Sequence, residues 1–336
     1  MARKRNPYYT GPESDNFDGQ RFFNPQGQKP GNLRALLKWQ FGGGKKKWPT
    51  SYPSPHSDTP PARVAGSDMR ACFVGHATML IQTAGLNFLT DPVWSTRASP
   101  VRFAGPKRVN APGITFENLP PIDVVLLSHN HYDHLDLVTL SRLKAAHDPL
   151  IITPLGNDRI LHKHDPSFRI SVGDWGDEVK LANNVSVSFE PAHHWSARGM
   201  GDRSKALWAA FVVTTPNGKI YHIGDTGFHG AKNFKAVREK HGGFRLALIP
   251  FGAYEPRWFM KGQHQNPDEA VQCHKICGAE NTLGHHWGTF QLTDESIEDQ
   301  LEALAIARQT HGVSDQAFRA LQPGQVWNVP LKQVKP

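Results

Sequence analysis

Four consecutive apolar residues, Val124-Val125-Leu126-Leu127, run through Ser128 into His129-Asn130-His131-Tyr132-Asp133-His134, and this junction constrains the chain more than any other stretch. An unbroken apolar run of this length reads as a β-strand buried on both faces. Loops at the carboxyl ends of such strands are where α/β proteins place their sites. The spacing H-x-H-x-D-H puts four side chains that bind divalent metal through nitrogen or oxygen on one loop. His129 and His131 alternate and can converge on one side, while Asp133 and His134 turn toward a neighbouring point. Four ligands so close do not fit one tetrahedral ion, so the spacing predicts two adjacent ions.

The remaining ligands have to come from other strand ends. His194 follows the Val185–Glu190 segment, and Asp225 follows Tyr221-His222-Ile223-Gly224, with Gly227 expected to let the chain turn sharply. His286 lies in Gly284-His285-His286-Trp287-Gly288. His129, His131 and His194 then serve one ion, Asp133, His134 and His286 the other, and Asp225 has two oxygens with which to bridge them. Adjacent residues on a strand point to opposite faces, so His193 and His285 should turn away if His194 and His286 face the metals. That argument does not choose within each pair. Histidine and carboxylate donors favour zinc, with manganese and iron compatible.

The rest of the chain suits an α/β protein. Short strands are predicted at Arg70–Val74, Thr78–Thr83, Leu86–Thr90, Ile151–Thr153, Val185–Phe189, Trp208–Thr214, Lys219–Ile223 and Leu246–Pro250. Helices are predicted at Leu135–Ala146, Ala231–Lys240, Pro267–Cys277 and Asp294–Gln309. Strands, then helices, then strands again imply two packed sheets flanked by helices. Residues 1–69 differ, being rich in Pro, Gly, Asn and basic residues, and are expected to form a partly irregular extension ahead of a hydrolase domain at 70–336. One island interrupts it: a short amphipathic helix at 32–41 carrying Leu33, Leu36, Leu37 and Phe41, followed by Lys45-Lys46-Lys47-Trp48. It either packs on the domain or makes peripheral contact with a membrane surface through residues 32–48.

Composition narrows the partners. The net charge is +8 with histidines neutral, which favours an anionic partner. Three cysteines in 336 residues make no disulfide framework, so a reducing, cytoplasmic compartment fits. Cys273 and Cys277 read as buried thiols on one helix face, with His274 between them. Neither a signal peptide nor an apolar run long enough to span a bilayer is evident.

The signature of the metallo-β-lactamase superfamily of αβ/βα sandwich hydrolases resembles His129–His134. Further stretches resemble the N-acylphosphatidylethanolamine-hydrolysing phospholipase D family: Thr90-Asp91-Pro92, Gly105-Pro106-Lys107-Arg108, Pro121-Ile122-Asp123, Gly224-Asp225-Thr226-Gly227, Ile249 through Met260 and His286 through Phe290. The resemblance covers roughly residues 70 to 320 and implies a binuclear zinc site with the ligands counted above. It implies His194 and His286 within their pairs, because the family's ligands precede Trp in both places. It places Gln263 and His264 near the substrate phosphate, with Tyr132 also against the substrate. Asp91 is implied to support a ligand histidine from behind. The implied reaction cleaves a phospholipid to N-acylethanolamine and phosphatidic acid, with Asp225, Asp133 and His264 serving the chemistry and a metal-activated water attacking phosphorus.

Other readings stay open. A lactonase of the same superfamily would use the same site on a carbonyl carbon. A nuclease would suit a basic protein, but no Lys/Arg arm interleaved with aromatics stands out, so no nucleic acid is expected. A redox di-iron protein would carry a carboxylate where this chain has His131. A non-catalytic zinc module would be richer in cysteine. The oligomeric state is left open, a homodimer being compatible.

Overall fold

A strand buried on both faces needs cover on both sides, and the Val124–Leu126 strand has it. Val124 and Leu126 belong to a large core shared by two sheets, while Val125 and Leu127 belong to a second core under helices that carry Leu140, Leu143, Ile160 and Leu161. This geometry comes from a computed structural model, which describes residues 6–331. After helix α1 (Leu33–Gln40), strands β1 (Met69–Gly75), β2 (Thr78–Thr83) and β3 (Leu86–Thr90) form an antiparallel meander. Strands β4 (Val124–Leu126), β5 (Leu150–Pro154) and β6 (Ile170–Gly173) continue that sheet in parallel.

The second sheet repeats the scheme. Strands β7 (Glu178–Lys180), β8 (Ser186–Glu190), β9 (Ala210–Thr215) and β10 (Gly218–His222) are antiparallel. Strands β11 (Leu246–Pro250), β12 (Thr282–His285) and β13 (Phe318–Arg319) follow in parallel. The last strand, β14 (Val326–Asn328), returns to the first sheet beside β1, giving two mixed sheets of seven strands among the described residues. Helices α2 (Leu137–His147), α3 (Asn157–His164), α4 (Lys232–His241), α5 (Arg257–Met260), α6 (Pro267–Cys277) and α7 (Ile297–His311) complete the fold.

Caps explain where the helices differ from the sequence expectation. The Asp136 carboxylate accepts from Val138 N and Thr139 N, so α2 starts at Leu137 rather than Leu135. Ser296 and Asp299 form a capping box, so α7 starts at Ile297 rather than Asp294. Asn266, Pro267 and Glu269 start α6, and Gly278 ends it in the left-handed conformation. Cys273 and Cys277 are buried on that helix. Helix α5 and strands β6, β7, β12, β13 and β14 are too short to show periodicity and had no sequence expectation; nor had α3, whose Ile160 and Leu161 are adjacent rather than spaced along a helical face.

The N-terminal region is irregular, as its composition suggests, but it is pinned to the body. Phe17, Phe22 and Trp48 are buried in the large core. Tyr9, Phe17 and Phe22 pack ring against ring, and Trp48 Nε1 donates to the Glu295 carbonyl. Among the described residues no helix is long and apolar enough to cross a membrane.

One guanidinium joins distant segments. Arg245 donates to the carbonyls of Ser67, Asn217, Val329 and Pro330. These lie before β1, in the β9–β10 turn and after β14, so the residue ties both sheets together. Replacing it (Arg245→Met) leaves four carbonyls short of a donor and should cost on the order of 3 kcal/mol. The shift of the denaturant midpoint measures this; an unchanged midpoint would mean that water replaces the guanidinium at no cost.

Candidate metal centre

Every side chain of the site stands at a strand's end, where the two sheets meet. The loop after β4 carries His129 through His134, the chain after β8 carries His194, the turn after β10 carries Asp225, and the turn after β12 carries His286. The fold brings all seven together, and all are buried except His131, which is half-buried. His131 Nδ1 lies 2.8 Å from His129 Nε2 and 3.3 Å from His194 Nε2. Asp133 Oδ2 lies 3.2 Å from His286 Nε2 and 3.5 Å from His134 Nε2. Asp225 stands between the two groups, its Oδ2 3.1 Å from His286 Nε2, 3.3 Å from His134 Nε2 and 3.7 Å from His194 Nε2.

This donor set fits divalent metal. The nitrogens of His129, His131 and His194 converge with Asp225 Oδ2 beside them, a set of nitrogen and carboxylate donors that suits a divalent cation. Burial pushes His129 and His194 well below the usual imidazole range, so both stay neutral with a lone pair to offer. At His286 burial acts the same way, but Asp225 and Asp133 outweigh it and hold the ring at about 9. Asp225 Oδ1 is buried with no hydrogen-bond partner among the described residues. Unsatisfied buried polar atoms need a reason, and two ions would supply one.

The supporting contacts hold individual rings. His194 Nδ1 donates to the Gln263 carbonyl at 3.0 Å. His134 Nδ1 donates to Asp91 Oδ2 at 2.9 Å, and Asp91 also accepts from Ser128 and His222. His193 turns away: its Nδ1 faces the Gly262 carbonyl, and its Nε2 accepts from Gln28 N. His285 lies beside His222 rather than in the cluster.

Backbone geometry corrects one expectation. Gly224, with φ +64°, makes the sharp turn before Asp225, and a Cβ there would sit 2.7 Å from Ser128 Cβ. Gly227 has no positive φ; it is needed because a Cβ would stand 2.6 Å from the Gly262 carbonyl oxygen.

The sequence reading missed one histidine. His76, after β1, joins Asp133, His134 and His286 in one group of potential metal donors. Its signal was weak, a single His in Gly75-His76-Ala77-Thr78 beside no other candidate.

A cavity of about 330 Å³ opens onto the centre. His131, Asp133, Asp225 and His286 line it, together with Gln263, His264 and Tyr132. His264 Nδ1 is 3.9 Å from Asp225 Oδ2. The Tyr132 ring lies under the Arg198 guanidinium, and its hydroxyl donates to the Arg198 carbonyl. Two further wall residues, Leu36 and Trp39, come from α1 in the N-terminal region.

The chain is similar to several known proteins. A model of the β-lactamase superfamily domain matches residues 86–287. N-acyl-phosphatidylethanolamine-hydrolyzing phospholipase D 1 of Caenorhabditis elegans is 37% identical over 330 residues, covering 93% of this chain and 92% of that protein. The mitochondrial N-acyl-phosphatidylethanolamine-hydrolyzing phospholipase D of Saccharomyces cerevisiae is 36% identical over 239 residues, 70% of this chain and 50% of that protein. Among solved structures, the metallo hydrolase Igni18 of Ignicoccus hospitalis superposes with a TM-score of 0.57 at 17% identity, covering 79% of this chain and 100% of the other.

Stripping metal with a strong chelator should lower the melting temperature by roughly 10 °C, as expected when an ion present well above its dissociation constant binds only the folded state. Returning zinc should restore it. A melting temperature indifferent to chelation, with metal content followed in parallel, would remove the metal from this cluster.

Proposed function

Because the chain belongs to the β-lactamase superfamily and is a metal-dependent hydrolase, we propose that it is a binuclear phosphodiester hydrolase of phospholipase D type. The substrate in this reading is N-acylphosphatidylethanolamine or a related phospholipid, cleaved to N-acylethanolamine and phosphatidic acid. The observation that carries it is the pairing of a histidine–aspartate cluster with a cavity whose lining joins polar side chains such as Gln263 and His264 to apolar ones such as Leu36, Trp39, Phe259 and Met260. The identity to the Caenorhabditis elegans phospholipase along nearly the whole of both chains supports the choice of substrate class.

His129, His131 and His194 would hold one ion, Asp133, His134 and His286 the other, and Asp225 both. When bound, two zinc ions supply an activated water at neutral pH and neutralise charge on the phosphoryl oxygens; manganese or iron suits the same donors. The protein's own groups position the diester. From the cavity wall a ring N–H of His264 and an amide N–H of Gln263 would donate to the phosphate oxygens, which can only accept. His264 is also placed to help the departing alkoxide as the P–O bond breaks. Tyr132 also lines the cavity. Leu36, Trp39, Phe259 and Met260 line the same cavity and would take apolar chain while excluding water.

Helix α1 serves two sides. Leu36 and Trp39 face the cavity, with the Trp39 ring stacked on Phe259. Leu33, Leu37 and Phe41, four residues apart, point outward at 68, 47 and 85% exposure. With Arg34, Lys38 and Lys45 beside them, they form an apolar stripe in a basic setting, suited to the surface of an anionic bilayer.

Four experiments test this reading. Turnover should be highest on N-acylated phosphatidylethanolamines, compared with simple diesters and lactones. In ¹⁸O-labelled water the label should enter phosphatidic acid, and Asp225→Asn should lose at least about a thousandfold in activity while staying folded. Faster turnover of lactones would overturn the assignment. For the outer stripe, the protein should co-sediment with anionic phosphatidylglycerol vesicles. The triple variant Leu33→Asp, Leu37→Asp, Phe41→Asp should lose this while still hydrolysing a short-chain, soluble diester; vesicle binding equal to the unsubstituted protein would rule the stripe out.

A further inference from the structure

We propose that His76 is a positioning residue for the second half of the metal centre, holding Asp133 through its ring and His286 through its backbone. The inference rests on the two-metal reading above. His76 lies where the end of β1 in one sheet meets the turn after β12 in the other. Its φ is +57° and that of His286 is +63°. Left-handed backbone in residues other than glycine is strained and persists only where the surroundings enforce it. Here they do: the His76 N–H donates to Thr289 Oγ1, and the His76 carbonyl accepts the His286 N–H, both at 2.9 Å. Two strained residues, one from each sheet, thus fix one another.

The side chain completes the clamp. The His76 ring is 1% exposed, lies 4.2 Å centroid to centroid from the His286 ring and meets Phe290 edge-on. Its Nε2 is 2.9 Å from Asp133 Oδ2. In the proposed role Nε2 donates its N–H to that carboxylate oxygen, which can only accept. A nitrogen used in this way offers no lone pair to an ion. His76 therefore acts on Asp133 rather than beside it, in the way that partners of metal ligands set ligand orientation and basicity. One residue from the first sheet thereby governs two ligand candidates of one ion and none of His129, His131 or His194.

The test is metal binding, not turnover. Metal content and stepwise affinity of the whole chain are measured by chelator competition for the unsubstituted protein, His76→Ala and His76→Gln. The unsubstituted protein should bind two zinc ions. His76→Ala should weaken the second step by 10- to 100-fold and leave the first unchanged. His76→Gln, whose amide keeps a donor toward Asp133, should recover the second step to within a few-fold. If the alanine variant does not fold, His76→Leu fills the space without a donor. Equal loss in the Gln and Ala variants would make His76 a ligand and overturn the positioning role. Unchanged affinity with a lowered melting temperature of the metal-free protein would also overturn it, leaving a packing role. Fewer than two zinc ions in the unsubstituted protein would instead sink the two-metal reading itself.

Discussion

A carboxylate buried completely between two sheets has to be compensated, and Asp91 shows how the site is built around that requirement. Burial alone would favour its neutral form. The histidines His134 and His222, with which it is hydrogen bonded, outweigh burial and hold it well below the usual carboxylate range. The backbone N–H and hydroxyl of Ser128 complete its set of donors. Through these bonds the end of β3 grips the start of the loop after β4 and the end of β10 at once. The orientation of His134 follows, and with it the distances from His134 to Asp133 and Asp225. A buried polar network of this kind is stable only when nearly every member is satisfied, which is why the atoms left unpaired in the centre point to ions.

The same economy extends outward. The candidate ligands are held from behind, the His194 ring by the Gln263 carbonyl and the His286 backbone by the His76 carbonyl across the sheet junction. The N-terminal region joins this shell rather than standing apart from it. The Asn24 side chain donates to the His194 carbonyl, Gln28 meets His193, and Arg203 donates to the Gly31 carbonyl. Chain that reads by composition as an irregular extension therefore backs the site and walls its cavity. Its irregularity is that of a strap following a surface, with polar side chains closing hydrogen bonds that secondary structure would otherwise make.

Much of the fold was legible in the sequence because it is locally encoded. Strands β2, β3 and β11 and helix α6 have the limits that the apolar pattern and the capping residues indicate. The short amphipathic helix near the N-terminus was legible too, with Asn32 as its cap. Its two sides were not. Spacing marks Leu36 and Leu37 as equally apolar, and only packing against Phe259 and the cavity separates the wall residue from the exposed one. Gly227 was read as a turn residue, whereas its role is a close approach to Gly262, a partner 35 positions away in the chain and invisible to local pattern.

The sequence by itself determined that a loop after a buried strand carries four metal-binding side chains, because strand burial and ligand spacing are both properties of neighbouring residues. The resemblance of its motifs indicated which distant histidines join that loop. Only the tertiary structure decided how they meet: that one oxygen of Asp225 reaches histidines of both groups, that His193 and His285 face elsewhere, and that an unremarked histidine after β1 touches Asp133. These are relations between segments that come together only when two sheets pack. Packing depends on the shape of the whole core, which no short stretch of residues encodes.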